Sequence, residues 1–371
     1  MRSERLEVIR QGDSSGNGMI VRAILCSGRA LYGFATENFY GGDWDLGPTW
    51  NYLVCGDKPF LVDAGRRGTG LHLLEMIASV GFDPREIETI VVSHGHEDHD
   101  GGIFEVVGKT GARVTAHEAY GCLMRPLPGA APSREKARFP VSCWCCPMPI
   151  SFSMRNCLDY HAERAKLTIS DLEMNGGAGI EVLHTPGHSP DAVALLIDGE
   201  ALLPGDTILP GITPHPSQER FFDIVRPALP KKWREAQELF GLRAYLRSLA
   251  KIEQMAGAFG DVLVLPSHRL YYRDGFNHIG LKERIEELLQ HHFDRCSDFL
   301  RILNTGPQSL QEVARQHFRP ELLKGHGIHL ASDEVASHCE LMAASGDVVF
   351  LEGGKLIATG TKNFSSFFGP R

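Results

Sequence analysis

Between Ser93 and Gly102 the chain reads SHGHEDHDGG, which places His94, His96, Asp98 and His99 within six residues. Three chemistries fit such a cluster: a solvated turn, a proton relay or a metal site. Neutral imidazole is a good zinc ligand, and carboxylates bind or bridge divalent ions. The cluster directly follows the apolar, strand-like run Glu88-Thr89-Ile90-Val91-Val92. A strand end presents several side chains to one small volume, so alternate residues can converge on an ion.

Partners elsewhere in the chain favour a metal site. His184-Thr185-Pro186-Gly187-His188 follows a strand-like Ile180 to Leu183. Leu203-Pro204-Gly205-Asp206 and Leu265-Pro266-Ser267-His268 each close a further apolar run, and Leu61-Val62-Asp63-Ala64-Gly65 repeats the arrangement upstream. Each puts His or Asp beside Gly or Pro, where tight turns bring backbone close to a site. Any one alone reads as structure; five together are specific. Glu97 reads as an outward-pointing charge.

The ordered set His94, His96, Asp98, His99, His188, Asp206 and His268, with Asp63 upstream, resembles the metallo-β-lactamase superfamily and within it the glyoxalase II-like dinuclear hydrolases. The resemblance covers roughly residues 18 to 275 and implies an αββα sandwich with the site at one edge. It implies that His94, His96 and His188 hold a first metal, that Asp98, His99 and His268 hold a second, and that Asp206 bridges them. Asp63 would orient a ligand histidine by hydrogen bond. His96 argues against the redox di-iron branch, which usually has a carboxylate there, and Asp206 against the β-lactamases that use a zinc-binding thiolate. Two divalent ions, zinc foremost with iron or manganese also suited, would activate a water as hydroxide, with Asp98 or Asp206 accepting or relaying a proton.

The elements that must position these residues alternate short apolar runs with helical stretches. Asn51 to Cys55 and Pro59 to Val62 read as a strand pair about Gly56-Asp57-Lys58, Gly70 to Val80 as a helix, and Lys231 to Met255 as a longer one. The expected fold is α/β: a sandwich over 1-278, interrupted by an insertion at about 122-175, followed by a small winged-helix-like domain over 279-371. That domain shows helices at Leu281 to Leu303, Leu310 to Gln316 and Ser332 to Ala344, with Ser332 as N-cap, then a hairpin turning at Gly353-Gly354. Helix and strand signals fade in the insertion, which carries Cys143, Cys145, Cys146 and Cys157 and is rich in Pro, Met, Phe and Trp. It reads as an apolar lid, with Trp144, Met148 and Phe152 near the metals, rather than a structural metal site. The Ile208 to Pro230 stretch is a second candidate wall, through His215.

Bulk properties narrow the function. The 371 residues carry a formal net charge of -8, which argues against non-specific attraction to nucleic acid or anionic lipid. The third C-terminal helix holds acids and no Lys or Arg, so it would repel phosphates; packing beside the active site or a homodimer contact suits it better. No run of 18 apolar residues and no signal-peptide core occur, and isolated cysteines such as Cys26, Cys55 and Cys339 read as buried thiols of a reducing cytoplasm. The expectation is a hydrolase of a small-molecule ester, thioester or lactone. The alternative is a metal-dependent nuclease of the same superfamily; a non-enzymatic sensor fits the full ligand set poorly.

Overall fold

The computed structural model describes residues 6–39, 46–123, 158–174, 177, 179–325 and 327–369. Trp144, Met148, Phe152 and the cysteines at 143, 145, 146 and 157 lie outside these residues, and the lid expectation with them.

Eight strands form the first sheet in sequence order: β1 Glu7–Arg10, β2 Ile20–Ile24, β3 Ala30–Thr36, β4 Thr49–Val54, β5 Phe60–Val62, β6 Thr89–Val91, β7 Arg113–Ala116 and β8 Ile169–Asp171. The first five pair antiparallel and the last four parallel. The second sheet holds β9 Ile180–His184, β10 Val193–Ile197, β11 Ala201–Leu203 and β12 Leu263–Val264, in the order β12-β11-β10-β9. β11 and β12 are parallel and the other pairs antiparallel.

Period-two alternation explains the layering. In β10, Val193, Leu195 and Ile197 pack between the sheets, while Ala194 and Leu196 pack on the outer side beneath helix Gly241–Gly257. In the first sheet, Tyr52, Val54 and Val62 face inward, and Leu53, Leu61 and Ile90 face helices Gly70–Ser79 and Ile103–Thr110. Strands buried on both faces read as unbroken apolar runs, and each buried Leu, Ile or Val contributes roughly 1.5–3 kcal/mol. The result is the expected αββα sandwich.

The C-terminal region comprises helices Leu281–Leu303, Leu310–His317 and Gly327–Ala344 and a three-stranded sheet of Gln308–Ser309, Lys355–Ala358 and Val348–Phe350. One apolar cluster runs unbroken from β10 and helix Gly241–Gly257 through Ile285, Phe299 and Val335 to Phe368, so these helices cover the second sheet's outer layer. Among the described residues no helix is long and apolar enough to cross a membrane.

Several local expectations are corrected. The helix expected over Lys231 to Met255 begins only at Gly241, whose φ of +87° breaks the run and whose missing side chain leaves room for Glu219. Ser332 is not an N-cap: helix Gly327–Ala344 starts earlier, and the Ser332 hydroxyl donates to the Ile328 carbonyl inside it. The hairpin turn is longer than Gly353-Gly354, closing with Leu351 N–H on the Lys355 carbonyl. Helix Leu158–Arg164 and β8 give order to the far end of the insertion. Cys26 is exposed, whereas Cys296 and Cys339 are buried.

Candidate metal centre

Parallel strands explain why residues so far apart in sequence meet. The carboxyl ends of β5 and β6 lead into Asp63 and His94, and those of β9, β11 and β12 into His188, Asp206 and His268. The two sheets join at this edge, where Thr49 bridges His268 and Trp50 N–H donates to the Ser267 carbonyl. Helical turn Glu97–Asp100 then lifts Asp98 and His99 into the same space. Two glycines permit the approach: a side chain at Gly102 would strike the Ala64 carbonyl, and one at Gly187, whose φ is +132°, the Tyr245 backbone.

All seven residues converge. His96 Nδ1 lies 2.9 Å from His94 Nε2 and 3.2 Å from His188 Nε2. His268 Nε2 lies 3.2 Å from Asp98 Oδ2, and His99 Nε2 lies 3.8 Å from it. Asp206 stands between the two groups. Its Oδ2 is 3.6 Å from His188 Nε2 and 4.0 Å from His94 Nε2, while its Oδ1 is 3.5 Å from both His99 Nε2 and His268 Nε2.

The outer nitrogens fix the rings. His99 Nδ1 donates to Asp63 Oδ2 (2.9 Å), His188 Nδ1 to the His215 carbonyl (2.8 Å) and His268 Nδ1 to the Pro48 carbonyl (3.2 Å). Ser93 gives its hydroxyl proton to Asp63, so its oxygen accepts from His94 Nδ1 at 3.1 Å. These four bonds leave each Nε2 lone pair aimed at the centre. Asp63 holds both the Ser93 backbone N–H and His99, from a left-handed backbone (φ +63°) of the strained kind that clusters at functional sites.

Electrostatics match a cation. Burial alone would lower the His99 pKa, but Asp206, Asp98 and Asp63 outweigh it and push it well up. His94 moves the other way, pushed well down by burial and then by the neighbouring imidazoles. Burial opposes ionisation of Asp98 and Asp206, yet the surrounding histidines hold both below the usual carboxylate range. Buried His99 Nε2, His268 Nε2 and Asp206 Oδ1 make no hydrogen bond. Leaving three buried polar atoms unsatisfied costs about 1–3 kcal/mol each, a cost that a shared cation would remove. The donors are imidazole and carboxylate, a set suited to divalent ions.

Two sequence expectations change here. Glu97 is buried rather than outward: its carboxylate accepts from Arg67 N–H at 2.8 Å and lies 3.9 Å from Arg66 Nε. His215 touches the centre through its carbonyl, and its ring turns to the C-terminal helices. Other contributors carried no signal. Asn38 donates to Asp98 Oδ2 at 2.9 Å from 60 residues upstream, Pro48 acts only by its carbonyl, and Asp191 receives the Gly95 N–H at 2.8 Å.

Comparisons with known proteins give the family and the fold. The sequence model of the family described as Metallo-beta-lactamase superfamily matches residues 44–268. The chain is 24% identical over 314 residues to Probable metallo-hydrolase YqjP of Bacillus subtilis (strain 168), covering 79% of this chain and 87% of that protein. It is 30% identical over 124 residues to a hydroxyacylglutathione hydrolase of Polaromonas sp. (strain JS666 / ATCC BAA-500), covering 33% of this chain and 46% of the relative. A metallo-beta-lactamase family protein from Thermus thermophilus superposes with a TM-score of 0.61 at 22% identity, over 88% of this chain and 98% of that one. A beta-lactamase domain protein from Burkholderia ambifaria gives 0.64 at 20% identity, over 96% and 98%. At such identities the two structures show the fold alone.

Proposed function

The chain belongs to the metallo-β-lactamase superfamily, and from that premise we propose that it is a dinuclear hydrolase of a small-molecule ester, thioester or lactone. Metal-dependent hydrolysis is its activity class; the ion count, residue roles and substrate class are the proposal. The observation that carries it is the division of Asp206, one oxygen toward His94 and His188 and the other toward His99 and His268. A carboxylate so placed suits a bridge between two ions.

In this reading His94, His96 and His188 hold one ion, Asp98, His99 and His268 the other, and zinc is the ion we assign first. When bound, such ions acidify water and polarise a carbonyl oxygen. The chain's own residues do the rest. Asp98 stays ionised in its histidine surroundings, so it would accept a hydrogen bond from the attacking water, orient it and relay its proton. Asn38 keeps that carboxylate turned inward, and Asp63 fixes the His99 tautomer. The partial likeness to a hydroxyacylglutathione hydrolase supports an acyl substrate. The helix Gly327–Ala344 turns Asp333, Glu334 and Glu340 toward residues 215–220 and so favours a packing role over phosphate binding. Its neighbouring helices and hairpin support a winged-helix-like reading of the C-terminal region.

Metal analysis of purified protein should find about two ions per chain, and a panel of esters, thioesters and lactones should show turnover that chelation abolishes. No transition metal after reconstitution, or turnover indifferent to chelator, would overturn the proposal.

A further inference from the structure

We infer that the C-terminal helix Gly327–Ala344 sets the position of His188 through His215, which makes His215 and Glu334 positioning residues for one half of the metal centre. The inference rests on the metal-centre reading above and adds a mechanical link that no ligand motif contains.

The chain of contacts is continuous. His188 Nδ1 donates to the His215 carbonyl at 2.8 Å, which turns Nε2 toward His96 and Asp206. The carbonyl is held from the other side by its own residue's ring. His215 Nε2 lies 3.2 Å from the Leu330 carbonyl and 3.8 Å from Glu334 Oε2, both on the C-terminal helix. Glu334 is fixed in turn by Arg295, whose Nη1 donates to Oε1 at 2.6 Å from helix Leu281–Leu303. The Arg295 guanidinium, with nearby imidazoles, overcomes burial and keeps that carboxyl well below its usual range.

Adjacent residues reinforce the link on both sides. Toward the metal, Ser217 N–H and Oγ both donate to the Gly187 carbonyl, each at 2.7 Å, one residue before His188. Toward the helix, Gln218 Nε2 donates to Asp333 Oδ1 at 2.8 Å, and the Glu219 and Arg220 N–H groups donate to Glu340 at 2.7 and 3.2 Å. Residues 215–220 therefore form a strap with one edge on the His188 turn and the other on the C-terminal helix. The other group has no such dependence: His99 and His268 take their outer partners, Asp63 and the Pro48 carbonyl, from the sandwich itself. The first group thus hangs one of its ligands, His188, on the C-terminal helices, whereas His94 of that group and both of these histidines of the second are held from the sandwich.

A substitution on the strap should then weaken one ion and spare the other. Partners of this outer kind are worth roughly 10–100-fold in metal affinity. The test is cobalt(II) titration of the full-length apoprotein, followed by visible absorption. The His215 carbonyl survives in His215→Ala but loses its anchor, so one of the two binding steps should weaken about tenfold, the low end for outer partners, while the other stays within twofold. His215→Gln, which restores an N–H near the Leu330 carbonyl, should recover most of the loss; a general loosening of the fold would not be rescued. If the alanine chain does not fold, Glu334→Gln, which keeps the shape and removes the charge, is read the same way, with a smaller loss in the same step. Two unchanged binding steps in the alanine variant (in Glu334→Gln, if that chain is used), or equal weakening of both, would overturn the inference alone. Wild-type protein that binds no cobalt would overturn the metal-centre reading and this inference with it.

Discussion

Among the described residues two clusters of buried histidine and carboxylate stand out, one at the sandwich edge and one among the C-terminal helices, where His292, Glu334 and His338 approach within metal-binding range of one another. Their hydrogen bonds separate them. At the edge, the outer nitrogens of His94, His99, His188 and His268 are occupied and the inner ones converge. Among the helices the bonds run in series. His338 Nδ1 donates to the Glu334 carbonyl at 2.7 Å, so its Nε2 accepts from His292 Nδ1 at 2.9 Å. Both nitrogens of His338 are thereby used. The Glu334 carboxylate already neutralises Arg295, and a cation added there would meet a guanidinium. The edge cluster instead offers Asp98 and Asp206, which face the imidazoles of His94, His99, His188 and His268. His292 Nε2 makes no hydrogen bond, so the helical cluster keeps one lone pair, but it lacks the uncompensated negative charge that the edge cluster offers beside its imidazoles.

The contrast can be broken at several points, and the largest effect belongs to Asp206. Asp206→Ala removes the carboxylate shared by both groups and should lower metal affinity by more than about a hundredfold, beyond the range of outer partners. Equilibrium dialysis with elemental analysis measures it, and unchanged metal content would place the bridge elsewhere.

Asp63→Asn comes next. Asn tolerates the left-handed backbone there, so the fold should hold, while His99 loses its charged partner. An affinity loss of about 10–100-fold is expected, and a loss below threefold would mean that the ring is fixed by packing alone.

The helical cluster should respond to acid rather than to metal. Burial pushes the His338 pKa down to about 3 from 6.5, and His292 also falls well below its ordinary value. Because the unfolded chain binds the proton more tightly, stability is fully present above pH 6.5 and is lost as pH falls toward 3. The loss is about 1.4 kcal/mol per unit for each such histidine. His338→Asn should therefore lose about 2 kcal/mol less than wild type between pH 7 and pH 5, as read by urea unfolding at both values. Parallel pH curves for the two proteins would refute the assignment.

The smallest effect expected is none. His292→Phe should leave bound metal at the wild-type stoichiometry, and loss of one ion per chain would promote the helical cluster to a metal site.

Much of the site was legible because metal ligation demands particular residue types next to particular turns. His94-x-His96-x-Asp98-His99 is compact, and His188, Asp206 and His268 each follow an apolar run and a Gly or Pro. The supporting groups were not legible. Asn38, Ser93 and the carbonyls of Pro48 and His215 are common groups with no spacing signal, and they matter only because folding delivers them. Glu97 departs from its expected outward position for the same reason: its partners Arg66 and Arg67 come from the turn after β5, some thirty positions earlier.

By itself the sequence determined the main strands and the residue types on offer: short apolar runs bounded by turn residues suit strands buried on both faces, and His and Asp beside Gly or Pro at the ends of such runs suit a shared site. What only the tertiary structure decided is orientation. It chose which nitrogen of each ring faces inward, divided the two oxygens of Asp206 between two groups, turned the His215 ring away while its carbonyl took His188, and occupied the acids of the last helix with the strap over the site. Those outcomes depend on hydrogen bonds a few ångströms long between residues tens to hundreds of positions apart, and no local pattern encodes such distances.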